Sequence, residues 1–204
     1  MSELKNKIIN KIEEKKYEKE KKLLNAAYKL FTEKGINNTS IQDIVNEAGV
    51  AKGTFYLYFK DKYSLQETLV TKTSANLFKE AINSLNKNYI ENFEDQVIYI
   101  INYVIDKLVE DPTLINFISK DLSLGFYNDK LTKLLNSNEI GVYDLFIKTI
   151  KEKKVNIKNP EITLFMIVEL VSSTCFTTIT QNKPLPINEY KPFLYDTIRK
   201  FIKN

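Results

Sequence analysis

An all-α fold of about nine helices in two domains is what this sequence predicts. Three observations predict it. Apolar residues recur three and four positions apart along most of the chain, no segment reads convincingly as a strand, and capping signals fall where one apolar stripe gives way to the next. With 204 residues and 43% apolar content, the chain is long enough to bury a sizeable core.

The elements follow in order. Leu23, Ala27, Leu30 and Phe31 stripe a first helix that stops at Gly35, a C-terminal cap position. Ile8, Ile9 and Ile12 extend the stripe upstream, and KNK…EEKKYEKEKK reads as a solvated helix or a fraying basic arm. Thr39, followed three residues later by Gln42, has the pattern of a capping box for a second helix with Ile41, Ile44, Val45 and Ala48 on its apolar face. Gly49 ends that helix. A short one from Lys52 to Phe59 sets Phe55 and Phe59 a turn apart for the core, and Asp61 caps a long fourth helix from Lys62 to about Leu85. Asp111-Pro112 and Asn159-Pro160 each pair a capping side chain with proline at the first helical position, opening helices near 112–120 and 160–181. Others are expected near 92–110 and 128–153, the latter with a break near Gly141. Beyond the loop at 183–188, Tyr190, Phe193, Leu194, Ile198 and Phe201 stripe the last.

Composition narrows the chemistry. The chain has no histidine, which removes Ser-His-Asp and Cys-His nucleophiles and the usual imidazole ligands of zinc. Its one cysteine, Cys175, forms no intrachain disulfide or thiolate cluster and reads as a buried, inert thiol. Five glycines make no phosphate-cradling loop. The expectation is therefore a non-enzyme without cofactor or metal, since no paired-carboxylate constellation is visible. No segment reads as a secretory signal. The most apolar window, 162–171, is too short to span a bilayer and contains Glu169, so a cytoplasmic protein without a membrane partner is expected.

Charge is unevenly placed. Residues 1–65 hold 13 lysines against 9 acids, whereas residues 66–204 hold 17 basic and 17 acidic groups, so the excess of +4 lies in the first third. That asymmetry points to a polyanion partner or to a solvated lysine face. Within GVAKGTFYLYFKDKYSL (49–65), Phe55, Tyr56, Tyr58, Phe59 and Tyr63 alternate with Lys52, Lys60 and Lys62. A helix, a Gly-Val turn and a second short helix make the helix-turn-helix plan, whose later helix enters the DNA major groove. On that plan Phe55 and Phe59 anchor the recognition helix, Lys52, Tyr56, Tyr58 and Lys62 face the DNA, and Gly53 lets the backbone approach it.

LLNAAYKLFTEKG, TSIQDIV, GVAKGTFYLYF and DKYSL follow one another in the order and spacing of the TetR (tetracycline repressor) family's DNA-binding domain, which the chain resembles over about residues 20–65. The resemblance implies a homodimer whose N-terminal domain (1–65) binds double-stranded DNA and whose C-terminal domain (66–204) binds a small molecule and pairs through its last two helices. It implies phosphate contacts at Thr39, Ser40, Tyr58 and Lys62, a recognition helix opened by Lys52, Gly53 and Thr54, and groove-facing positions at Tyr56 and Leu57. Ala51 departs from the family's frequent serine or threonine, and Leu57 from its frequent histidine or tyrosine. The only arginine is Arg199, so the bidentate arginine–guanine contact is unavailable to this domain. An A·T-rich operator follows, or else a coding bias that explains the missing arginine.

The second domain carries no decodable motif. Tyr99, Tyr103, Phe117, Phe126, Tyr127, Tyr143, Phe146, Phe165 and Met166 are candidates for a ligand pocket, each competing with ordinary core packing. Glu169, an acid inside an apolar stretch, suits a cationic ligand, a dimer interface or an exposed position. The expected function is a ligand-responsive regulator, most simply a repressor released from a palindromic operator by a hydrophobic or amphipathic effector. The alternative is a DNA-bound protein whose second domain contacts a protein partner.

Overall fold

The computed structural model describes residues 2–118 and 142–203, and every regular element among them is helical. They are α1 (Ser2–Lys34), α2 (Ile41–Ala48), α3 (Lys52–Tyr56), α4 (Lys62–Leu85), α5 (Phe93–Glu110), α6 (Pro112–Ile118), α7 (Val142–Lys153), α8 (Pro160–Gln181) and α9 (Ile187–Lys203). The chain divides into two compact units, Met1–Leu69 and Val70–Asn204, with the boundary inside α4. The expected helical segment from 128 to 141 lies outside the described residues.

Unit 1 is a three-helix core with the start of α4 packed on it. Leu23, Ala27, Ile44, Phe55 and Leu65 are fully buried, with Val45 and Phe59 nearly so. Gly35 (φ 79°) and Gly49 (φ 64°) close α1 and α2 in the left-handed region that side chains rarely adopt. The Val50 N–H returns to the Val45 carbonyl at 3.0 Å and fixes the turn into α3. Asp61 caps α4, its Oδ1 accepting from the Tyr63 and Ser64 N–H groups at 3.0 and 2.7 Å.

The capping box of α2 is shifted by one residue from the expected one. Ser40 is the N-cap: its hydroxyl accepts from the Asp43 N–H at 3.1 Å, and the Asp43 carboxylate accepts from the Ser40 N–H at 2.9 Å. Gln42 turns instead to Asn46. Thr39 is buried, and its hydroxyl donates to the Gly35 carbonyl at 2.8 Å, closing the end of α1 rather than opening α2. Bonding to the Ser40 N–H, with the Lys34 ammonium beside it, lowers the Asp43 carboxyl to about 2.

Unit 2 has its core between α5, α7, α8 and α9, where Ile105, Cys175, Leu194, Ile198 and Ile202 are essentially inaccessible and the Phe93 and Phe146 rings pack 5.5 Å apart. Burial pushes the Cys175 thiol up to about 12. Polar contacts tie α9 to α5. Asn102 Oδ1 accepts from Lys191 at 2.9 Å and from the Tyr195 hydroxyl at 2.6 Å, Lys191 also pairs with Asp106, and Arg199 reaches Asp95 at 2.8 Å. Pro160 opens α8 as expected, but the Asn159 side chain makes no capping bond. The expectation that the apolar stretch at 162–171 is too short to cross a membrane is corrected. By length and composition α8 is sufficient, with 22 residues and a mean hydropathy of 1.8. Its inner stripe nonetheless packs into the core and carries Thr163, Ser172 and Thr178.

Candidate nucleic-acid interface and apolar cavity

α3 has two unlike sides. Phe55 is fully buried and meets the Tyr56 ring edge-on at 5.5 Å and Phe59 at 5.8 Å, which locks the helix to the core. The opposite side carries Lys52, Gly53, Tyr56 (54% exposed) and Leu57 (78% exposed). Thr54 and Tyr58 are half-buried at its edges. A Cβ on Gly53 would meet nothing within 4 Å, so the fold does not require glycine there and its bare backbone faces outward. Ala51, the N-cap, provides no side-chain bond. Ser40 is exposed at the start of α2 while its hydroxyl serves the capping box.

Two residues expected to touch phosphate are occupied within the protein. Thr39 is 1% exposed and its hydroxyl is bonded to backbone carbonyls, so it supports the turn rather than facing a partner. The Lys62 ammonium donates to the carbonyls of Ile36 and Thr39 at 2.8 and 2.9 Å and lies 3.4 Å from that of Asn37. It thus clamps the α1–α2 turn to the first residue of α4. Replacing Lys62 by Met is expected to lower the melting temperature of the domain and weaken DNA binding without changing its salt dependence. Replacing exposed Lys52 by Gln is expected to leave melting unchanged and reduce the log–log salt slope by about 0.9. Matched salt titrations and melting curves of the two variants check this, and a lowered slope for Lys62→Met would return that lysine to the phosphate-contact role.

Unit 2 holds a half-open cavity of about 460 Å³. Its walls are Phe93 and Ile101 from α5, Phe146 from α7, and Leu164, Ile167 and Val168 from α8. Its rim includes Gln96, Thr149 and Lys153, which donate to the carbonyls of Ile90, Leu145 and Glu91. The cavity therefore offers mainly dispersion and shape.

Of the aromatic candidates, Phe146 lines this cavity. Tyr103 lies off it, with Lys107 over its ring and its hydroxyl 3.5 Å from Glu80, and Phe117 is buried elsewhere. Tyr99 bonds Ser84 at 2.7 Å, and Tyr143 stands at the surface. Phe165 (45% exposed) and Met166 (41%) project outward from α8, and Glu169 is half-buried off the cavity wall. Phe126 and Tyr127 lie outside the described residues. The aliphatic wall at 164, 167 and 168 is not among the expected lining residues, although its i, i+3, i+4 spacing marks one side of a helix.

A tight left-handed turn between two short helices, the second anchored inside and polar-aromatic outside, defines a helix-turn-helix DNA-binding domain. Residues 23–69 match the family described as bacterial regulatory proteins, tetR family. Over these residues the chain is thus similar to the DNA-binding domain of that family.

Among its relatives, the uncharacterized HTH-type transcriptional regulator YvdT of Bacillus subtilis (strain 168) is 35% identical over 113 residues, 55% of this chain and 52% of that protein. The match thus spans about half the length of that relative. The fold of the regulator RolR in complex with resorcinol is similar, with a TM-score of 0.68 at 14% identity over 92% of this chain and 88% of that one. The transcriptional regulator FadR from Bacillus subtilis in complex with stearoyl-CoA gives 0.58 at 16% identity over 88% and 97%.

Proposed function

We propose that this chain is a repressor that leaves a palindromic operator when a small apolar or amphipathic effector fills the cavity of unit 2. The observation that carries the reading is the two-sidedness of α3: its inner side is core, and its outer side offers rings, a lysine and bare backbone. In this reading Tyr56 and Leu57 enter the major groove and meet thymine methyls, while Lys52, Thr54, Tyr58 and Ser40 contact the sugar–phosphate backbone. Thr39 and Lys62 hold the scaffold. Arg199 lies in unit 2, paired with Asp95, so an A·T-rich operator read through methyl groups and DNA shape is favoured.

The protein acts in the cytoplasm as a homodimer through α8 and α9, whose exposed Ile162, Phe165, Met166 and Phe193 supply the apolar face. Effector chemistry is supported by the cavity, and by a fold shared with regulators crystallised with resorcinol and with stearoyl-CoA. Release requires the effector to bind the non-DNA-binding geometry more tightly. The second reading, a DNA-bound protein with a protein partner, draws only on the α8 face, which a second copy also fits.

Selection of bound duplexes from a random pool, followed by a screen of aromatic and acyl compounds for release, tests the proposal. The wild type is expected to select an A·T-rich palindrome and to be released by a subset of compounds. Val168→Trp, which fills the cavity, is expected to bind the same palindrome and resist release. Selection of no palindrome overturns the operator reading, and equal release of both proteins overturns the cavity.

A further inference from the structure

We propose that the N-terminal half of α1 is a second DNA-binding surface: a lysine ridge that lies along the phosphate backbone of the duplex flanking the operator. The inference rests on the DNA-binding reading of α3 and adds a surface that precedes the family match, which begins at Leu23.

Leu23 is also the first buried residue described in α1. Between residues 11 and 22, every side chain described is exposed except that of Glu20, which is half-buried. Residues 11–22 thus run about 18 Å along the helix, at 1.5 Å per residue, before it reaches the core, about half a turn of B-DNA.

The charges on this overhang are sorted by side. At 3.6 residues per turn, Lys11, Lys15, Lys16, Lys19 and Lys22 fall in one half of the helix, and Glu13, Glu14, Glu18 and Glu20 in the other, with Lys21 among the acids. The lysine half has a fixed direction. Lys15, Lys19, Leu23 and Ala27 follow one another at four-residue steps, and Leu23 and Ala27 are fully buried in unit 1. The ridge therefore runs into one flank of the buried side of α1, whose other flank, at Leu24 and Phe31, continues the line of Glu13 and Glu20.

Pairing separates the two halves of α1 as well. Lys29 and Lys34, beside the core, are bonded to Glu47 at 2.7 Å and Asp43 at 3.0 Å. Among the described residues, none of Lys11, Lys15, Lys19 and Lys22 has an acidic partner. A row of cations about one turn apart, with the acids gathered on the other half of the helix, suits a regularly charged polyanion. Among the described side chains of residues 11–22, Tyr17 is the one large apolar group.

The test is a salt titration with the duplex selected by the wild-type protein, cut to the palindrome or extended by one helical turn on each side. Lys11→Gln/Lys15→Gln/Lys19→Gln/Lys22→Gln is expected to reduce the log–log salt slope on the extended probe by about 0.9 for each phosphate that is no longer neutralised. Its slope on the short probe, its site preference and its melting temperature are expected to stay those of the wild type. Lys21→Gln, on the acidic side, is expected to change none of them. Equal slopes for the wild type and the fourfold variant on the extended probe would overturn the ridge, as would an equal effect from Lys21→Gln. Absence of any site preference in the wild type would instead sink the reading of α3. The ridge is then judged by the same slope comparison on a random duplex.

Discussion

Phe55→Ala is expected to lower the stability of unit 1 by about 3–5 kcal/mol and to abolish operator binding. The ring is fully buried, packs against Tyr56 and Phe59, and is the only buried side chain of a five-residue helix. A helix that short has no stability of its own, so removing its anchor removes the presentation of Lys52, Tyr56 and Leu57 with it. A domain of this size holds only a few kcal/mol of net stability, comparable to the expected loss. Calorimetry of the full chain should show the transition of unit 1 displaced downward and that of unit 2 retained. Native-like melting together with intact operator affinity would refute this account of the anchor.

Phe165→Asp combined with Met166→Asp is expected to yield a monomer with weakened operator affinity. Both side chains are partly exposed on the outward side of α8, so helical content should be preserved. In a dimer they would stand buried, unpaired and facing their own symmetry copies, a cost of several kcal/mol. Losing the tether between two recognition helices removes their mutual effective concentration, so affinity for the palindrome should fall by about 10²–10⁴. Sedimentation at micromolar concentration and binding to full and half operators check this. A persisting dimer would locate the interface elsewhere.

Local signals make much of the fold legible. Gly35 and Gly49 stop their helices because only a residue without Cβ enters the left-handed region freely, and Asp61 and Asp111 cap α4 and α6 through short, sequence-local bonds. The start of α2 is ambiguous in sequence because Thr39 and Ser40 are adjacent and both have a partner at the capping-box spacing. What decides between them is the Gly35 carbonyl, which captures the Thr39 hydroxyl, a contact visible only once α1 is closed. The clamp made by Lys62 is hidden for the same reason, since its carbonyl partners lie more than twenty residues back.

In unit 2 the aromatic residues stand out in the sequence, while the cavity wall is largely aliphatic. α8 is apolar on both its sides, so periodicity alone does not tell the lining positions Leu164, Ile167 and Val168 from the outward Phe165 and Met166.

The buried Cys175 has a practical consequence. Its thiol, 1% exposed and pushed up to about 12, supplies almost no thiolate at neutral pH and offers none to a reagent from outside. Alkylation of this chain therefore waits on the opening of the α5–α9 core, and with a single cysteine in the sequence each labelled molecule marks one such event. The wild-type protein thus carries its own chemical stopwatch for unit 2, and a compound that fills the cavity should slow it with no label engineered in.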